Sequence, residues 1–122
     1  MPDPGDLPAW LTEADLDMYA ETFRRTGFRG ALNRYRNLDR DWEDLAGLAN
    51  NPIEQPVLFV GGELDSALRF GSTEPLRTAT HNLTKLVLLP GCGHWTQQER
   101  PSAVTNEIVT FLARDDVYAK RH

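Results

Sequence analysis

Two short runs of unbroken apolar residues, Val57-Leu58-Phe59-Val60 and Leu86-Val87-Leu88-Leu89, constrain the fold of this chain more than any other feature. Each is closed by turn residues, Gly61-Gly62 after the first and Pro90-Gly91 after the second. Apolar runs without polar alternation suit strands covered on both faces better than half-exposed ones. The two are separated by more than 20 residues that carry a helical pattern, with Ser72 or Thr73 as cap, Pro75 in the first turn, and Leu76, Ala79, Thr80 and Leu83 recurring. The expected strands are residues 57–60 and about 85–89. Strand, helix and strand are most simply two parallel neighbours joined by a right-handed crossover. Parallel strands end on the same side of a sheet, so the loops after Val60 and Leu89 should lie together, where open α/β sheets bind ligands.

The rest of the chain is helical in pattern. Residues 1–8 hold three prolines and a glycine and read as an entry loop. From Thr12, a potential cap, Leu16, Tyr19, Ala20 and Phe23 recur at helical spacing until Gly27. A second helix is expected over about 30–36, with Phe28, Leu32 and Tyr35 on one face, which predicts that Tyr35 points inward or into a cleft. A third is expected from about Asp41, with Trp42, Leu45, Ala46 and Ala49 on one side, ended by Asn50-Asn51-Pro52. The last begins near Pro101, aligns Val104, Ile108, Phe111 and Leu112, and ends near Arg114. These patterns divide the chain into a helical segment, 1–50, an α/β segment, 51–114, and a tail, 115–122, whose end Lys120-Arg121-His122 is read as solvated.

The two loops after the strands carry the chemistry. The first holds Gly61-Gly62-Glu63-Leu64-Asp65 and the second Gly91-Cys92-Gly93-His94-Trp95. An aspartate that accepts a hydrogen bond from one ring nitrogen fixes the histidine tautomer and leaves the other nitrogen as a base. On spacing alone, a turn-forming aspartate and a hydrogen-bonded structural histidine are favoured over a functional Asp65–His94 pair.

The full motifs go further. Gly61-Gly62-Glu63-Leu64-Asp65, followed after a helix and a strand by Pro90-Gly91-Cys92-Gly93-His94-Trp95-Thr96-Gln97-Gln98-Glu99-Arg100-Pro101, resembles the last third of the α/β-hydrolase family. Within it, the Gly-His-Trp-Thr-Gln run and Gly27-Phe28-Arg29-Gly30-Ala31-Leu32-Asn33-Arg34-Tyr35-Arg36-Asn37 resemble soluble epoxide hydrolases and the end of their helical cap. The resemblance covers about residues 10–113. It implies an α/β fold in which 1–50 is cap-like, followed by strand, helix, strand and helix of the hydrolase core. It also implies a reaction: an aspartate nucleophile opens an epoxide, cap tyrosines hold the epoxide oxygen, and a histidine-aspartate pair activates water against the ester. By position, Tyr35 matches one cap tyrosine, Asp65 the acid and His94 the base.

Other parts of that pattern do not occur in these 122 residues: there is no Gly-x-Ser-x-Gly or aspartate equivalent and no His-Gly-x-Pro. Tyr19 is too near Tyr35 in sequence to match the second cap tyrosine. The resemblance therefore implies no epoxide turnover by this chain alone, and an edge-exposed two-stranded sheet implies another hydrolase part, self-association, or repacking of the N-terminal helices. Alternatives are another α/β-hydrolase, such as a dehalogenase or esterase, or a non-catalytic paralogue acting as an oligomerising module.

The expected substrate is a small apolar epoxide, with no cofactor. A net charge of -5 argues against nucleic acid or an anionic membrane as partner. No apolar run approaches the roughly 18–20 residues of a spanning helix, and no signal-like segment opens the chain, which predicts a cytoplasmic protein. Cys92, the one cysteine, reads as a small buried filler. His81 reads as a helix-end residue rather than a metal ligand, and Trp10 and Trp42 as core or cap-hinge residues.

Overall fold

The computed structural model describes residues 5–48 and 51–118. They fall into two compact units, Met1–Ala49 and Asn50–His122. Residues 1–4, 49–50 and 119–122 lie outside the described residues, and with them Ala49, Asn50 and the basic end of the tail.

In the first unit each helix is specified by its own sequence. Helix α1, Glu13–Thr26, starts on a capping box. The Thr12 hydroxyl accepts from the Asp15 amide at 3.2 Å, and the Asp15 carboxylate accepts from the Thr12 amide at 3.0 Å. Gly27 ends the helix, its N–H donating to Phe23 O. Helix α2, Arg29–Arg36, follows, and the Phe23 and Phe28 rings stack at 4.6 Å between the two. Helix α3 spans Leu38–Asp44, three residues earlier than the spacing predicts, and gives way to a 3₁₀ turn at Ala46–Leu48. The early start comes from continuity of the backbone: Asn37 is at once C-cap of α2 and N-cap of α3, so no break separates them.

None of these helices has a buried residue. Tyr35 is 68% exposed, so of the two placements that its spacing allows, the inward one does not hold within the first unit, and Trp42 at 82% is not a core residue there. The physical reason is the same for both. An amphipathic stripe is buried only where a second element covers it, and among the described residues of this unit none covers these two. Instead Leu38, Trp42, Leu45 and Leu48 line an apolar groove of about 570 Å3.

The second unit is built on a parallel pair. Strand β1 is Val57–Gly62; helix α4, Ser66–Phe70, and helix α5, Glu74–Ala79, lead to strand β2, Leu83–Leu89. β1 extends through the two glycines expected to stop it, and β2 begins two residues before its expected start, at Leu83, which the helical spacing had assigned to the preceding stripe. The strand hydrogen bonds override that spacing. After an irregularity between Val57 and Leu58, the register runs in step from Leu58 opposite Lys85 to Gly62 opposite Leu89. An isolated parallel bridge, Ile53 with Thr80, precedes the ladder.

The one-turn helix α6, Thr96–Glu99, then α7, Pro101–Leu112, and α8, Asp115–Tyr118, complete the unit. The last replaces the first part of the expected tail with helix. The core is small: among the described residues Leu89 and Cys92 are the buried apolar side chains. The strands are therefore only partly covered, against the expectation of strands enclosed on both faces, because within this unit α7 is the long helix that packs on β1. No described helix is long and apolar enough to cross a membrane.

Candidate active site

The in-step register puts Gly62 beside Leu89 at the carboxyl ends of the strands, so the residues that follow each must share one space. Backbone hydrogen bonds join the two loops: Glu63 N–H donates to Leu89 O at 3.1 Å and Leu64 N–H to Cys92 O at 2.8 Å. A side chain adds a third link, the Glu63 carboxylate accepting from Gly91 N–H at 3.1 Å. Gly91 has a φ of 61°, a left-handed turn that favours glycine and swings the second loop back over the first. Gly62 is required for a different reason. A Cβ there would lie 2.0 Å from Gly93 O and 2.4 Å from Cys92 O, so only a hydrogen fits between the loops.

Asp65 stands at the end of the first loop as the N-cap of α4, where its Oδ1 accepts from Ala67 N–H at 2.8 Å. That bond holds the carboxylate in one orientation and leaves Oδ2 directed at the second loop. His94 Nδ1 lies 3.0 Å from Oδ2. The Asp65 side chain is 11% exposed, whereas His94 is 61% exposed. Burial raises the Asp65 pKa, but the Ala67 N–H and His94 outweigh it and hold the carboxyl below its ordinary value. An ionised carboxylate only accepts, so Nδ1 carries the hydrogen. In the neutral ring Nε2 is then the free base, on a side chain open enough to meet a small reactant.

His94 is also held from its own loop. The Glu99 carboxylate, at the end of α6, accepts from Gly93 N–H at 2.7 Å through Oε2 and from Trp95 N–H at 3.1 Å through Oε1. The Trp95 ring meets the imidazole edge to face, with centroids 5.3 Å apart. Behind this turn Cys92 is fully buried; burial pushes its thiol pKa up and the Glu99 carboxylate adds to it, so the thiol is packing rather than a nucleophile.

Of the three residues singled out from sequence, Asp65 and His94 are brought together and Tyr35 lies on α2 of the first unit. His81 pairs with Glu54 at 2.9 Å, a partner that the sequence reading missed. Glu99, Glu63 and the closeness at Gly62 were missed as well. Consecutive glycines at a strand end signal close backbone approach, and a glutamate four residues after a turn residue can fold back on it, but neither pattern names the partner. Among the described residues no group of three or more His, Cys, Asp or Glu could hold a metal ion.

No family model matches the sequence. The chain is 46% identical over 112 residues to epoxide hydrolase A of Mycobacterium tuberculosis, a match covering 92% of this chain and 35% of that protein. Among solved structures, epoxide hydrolase A from Mycobacterium thermoresistibile aligns with a TM-score of 0.86 at 46% identity, over 91% of this chain and 35% of the other. An epoxide hydrolase from an endophytic Streptomyces aligns with a TM-score of 0.86 at 50% identity, over 90% and 34%. The chain thus spans about a third of the length of the relatives it matches.

Proposed function

Because the chain belongs to the epoxide hydrolases and carries the C-terminal part of their α/β-hydrolase fold, we propose that it supplies the water-activating half of an epoxide-opening site. The observation that carries this reading is the 3.0 Å contact of His94 Nδ1 with an anchored Asp65. The substrate is a small apolar epoxide and the product a vicinal diol. Residues 1–50 act as a cap-like segment, 51–114 as the end of the hydrolase core and 115–122 as a tail.

The steps divide between this chain and a nucleophile outside it. An aspartate carboxylate attacks one epoxide carbon, the carbon–oxygen bond of the ring breaks, and the Tyr35 phenol donates its proton to the developing alkoxide. A hydroxyalkyl ester remains. His94 Nε2 then takes a proton from water, and the hydroxide adds to the ester carbonyl. The imidazolium returns the proton to the leaving alkoxide, which releases the diol and leaves a carboxylic acid; the proton of that acid passes through solvent to the Tyr35 phenolate, which restores both the phenol and the carboxylate. Asp65 stays ionised and stabilises the imidazolium. These 122 residues contain no nucleophile elbow, so alone they turn over no epoxide; polypeptide outside them, or a second chain, supplies it.

The test is a chimera in which this chain replaces the matching third of epoxide hydrolase A of Mycobacterium tuberculosis. Diol formation is expected from an epoxide that the parent opens, with His94→Ala trapping the ester and slowing turnover about 10²- to 10⁴-fold. Tyr35→Phe should slow ester formation instead. A folded chimera that binds the epoxide and yields no diol would sink the proposal. Undiminished activity in Tyr35→Phe would instead favour a hydrolase that shares the acid-histidine pair but not the cap chemistry.

A further inference from the structure

Asp65 fixes the ring of His94 but not its backbone. His94 sits between a glycine and the start of a one-turn helix, on a side chain that is mostly exposed. A hydrogen bond at a ring nitrogen is directional, so small rotations of the turn would swing Nδ1 away from Oδ2. Something must hold the turn. The carboxylate of Glu99 meets the amide hydrogens on both sides of His94, one with each oxygen.

We propose that Glu99 is the positioning residue of His94, clamping the residues before and after it so that the imidazole stays aimed at Asp65. The proposal rests on the reading of His94 as the base, and extends it to a group that does not touch substrate. Three features support it. The contacts straddle His94 rather than capping a long helix, since α6 is a single turn. They are charge-assisted, with a short 2.7 Å bond to Gly93, the class of hydrogen bond that restrains a backbone most strongly. The fit is also close on the side of the turn: a Cβ on Gly93 would lie 2.9 Å from Glu99 Oε1, so a side chain at 93 would push the flexible end of Glu99 from its place.

Glu99 and Asp65 thereby divide one task. Asp65 reaches across from the first loop and selects the tautomer, whereas Glu99 works within the second loop and sets where the ring stands. A neutral amide at 99 can accept only through its one oxygen, and its NH₂ would face an N–H donor. Glu99→Gln should therefore undo one arm of the clamp, and Glu99→Ala both.

The experiment is NMR on the full chain with labelled histidine, which needs no substrate and so separates failure of this proposal from failure of the catalytic reading. In the unaltered protein, the Gly93 and Trp95 amide protons should shift together with the Glu99 side-chain carboxyl carbon as pH is lowered. Glu99→Gln should lower the population of the Nδ1–H tautomer bound to Asp65 about tenfold relative to the free ring, the size expected for one charge-assisted hydrogen bond. Glu99→Asp should recover part of it, and hydrogen exchange of the β1 and β2 amides should stay unchanged. Tautomer and titration of His94 that match the unaltered protein in Glu99→Gln would overturn the proposal. Should the variants not fold, the titration of the unaltered chain still decides: amide shifts at 93 and 95 that ignore the Glu99 carboxyl would overturn it equally.

Discussion

The two units of this chain solve the problem of holding a structure in opposite ways. The first is helical and rests on neighbours in sequence: a capping box between Thr12 and Asp15, an Arg24–Glu21 pair three residues apart, and stacked Phe23 and Phe28. Its helices bury none of their residues. The second carries the site, and there the bonds that matter join residues far apart, Asp65 with His94 and Glu63 with Gly91, across 29 and 28 positions. Local bonds specify helices one by one and leave their apolar stripes open. Long-range bonds create a geometry that no local segment holds. Exposed pairs such as Arg24–Glu21 contribute little to stability in any case, so the first unit owes its definition to backbone and caps.

The sharpest way to break this comparison is at the contact between loops. Gly62→Ala forces a methyl group into backbone oxygens of Gly93 and Cys92, which cannot move aside as a side chain would. It should destabilise the second unit by about 3 kcal/mol or more, the upper range for overpacking. Hydrogen exchange at β1 and β2 would measure the loss, with the α1 amides as the internal control. Equal losses in both units would show that they are not independently specified.

A smaller effect is expected from pH. The Asp65 pKa is lower folded than unfolded, so its contribution is fully present above the unfolded value of about 3.9 and is lost as pH falls through the folded value. Denaturation of the unaltered chain and of Asp65→Asn, followed in the second unit, should therefore differ at neutral pH and converge below about pH 3.9. A gap that persists in acid would mean that Asp65 acts through shape rather than charge. The smallest effect belongs to Thr12→Ala. It should cost about 1 kcal/mol of α1 stability by circular dichroism and leave the His94 resonances unmoved.

Much of the framework was legible from residues alone. Thr12 and Gly27 bracket α1 because capping and chain reversal are settled within one helical turn. Pro75 and Pro101 mark helix starts because a residue without an N–H fits where no intrahelical partner exists. Parallel pairing of the two apolar runs followed from the length and helix between them. The misses have physical causes too. Leu83 fits a helical stripe by spacing but sits in β2, since the ladder decides its backbone. Tyr35 fits a buried stripe but is exposed, since amphipathicity states what a face needs and not what covers it.

At the site the division is sharper. The sequence by itself determined that an aspartate and a histidine end neighbouring parallel strands, because strand length, glycine stops and crossover direction are matters of local chemistry and chain geometry. Tertiary structure alone decided that Asp65 turns one oxygen to Ala67 and the other to His94. It decided as well that Gly62 lets two backbones meet, and that Glu99 reaches both amides flanking the histidine. A hydrogen bond depends on tenths of an ångström and on angle. Those quantities are set by how whole segments pack, and no residue carries them in its identity.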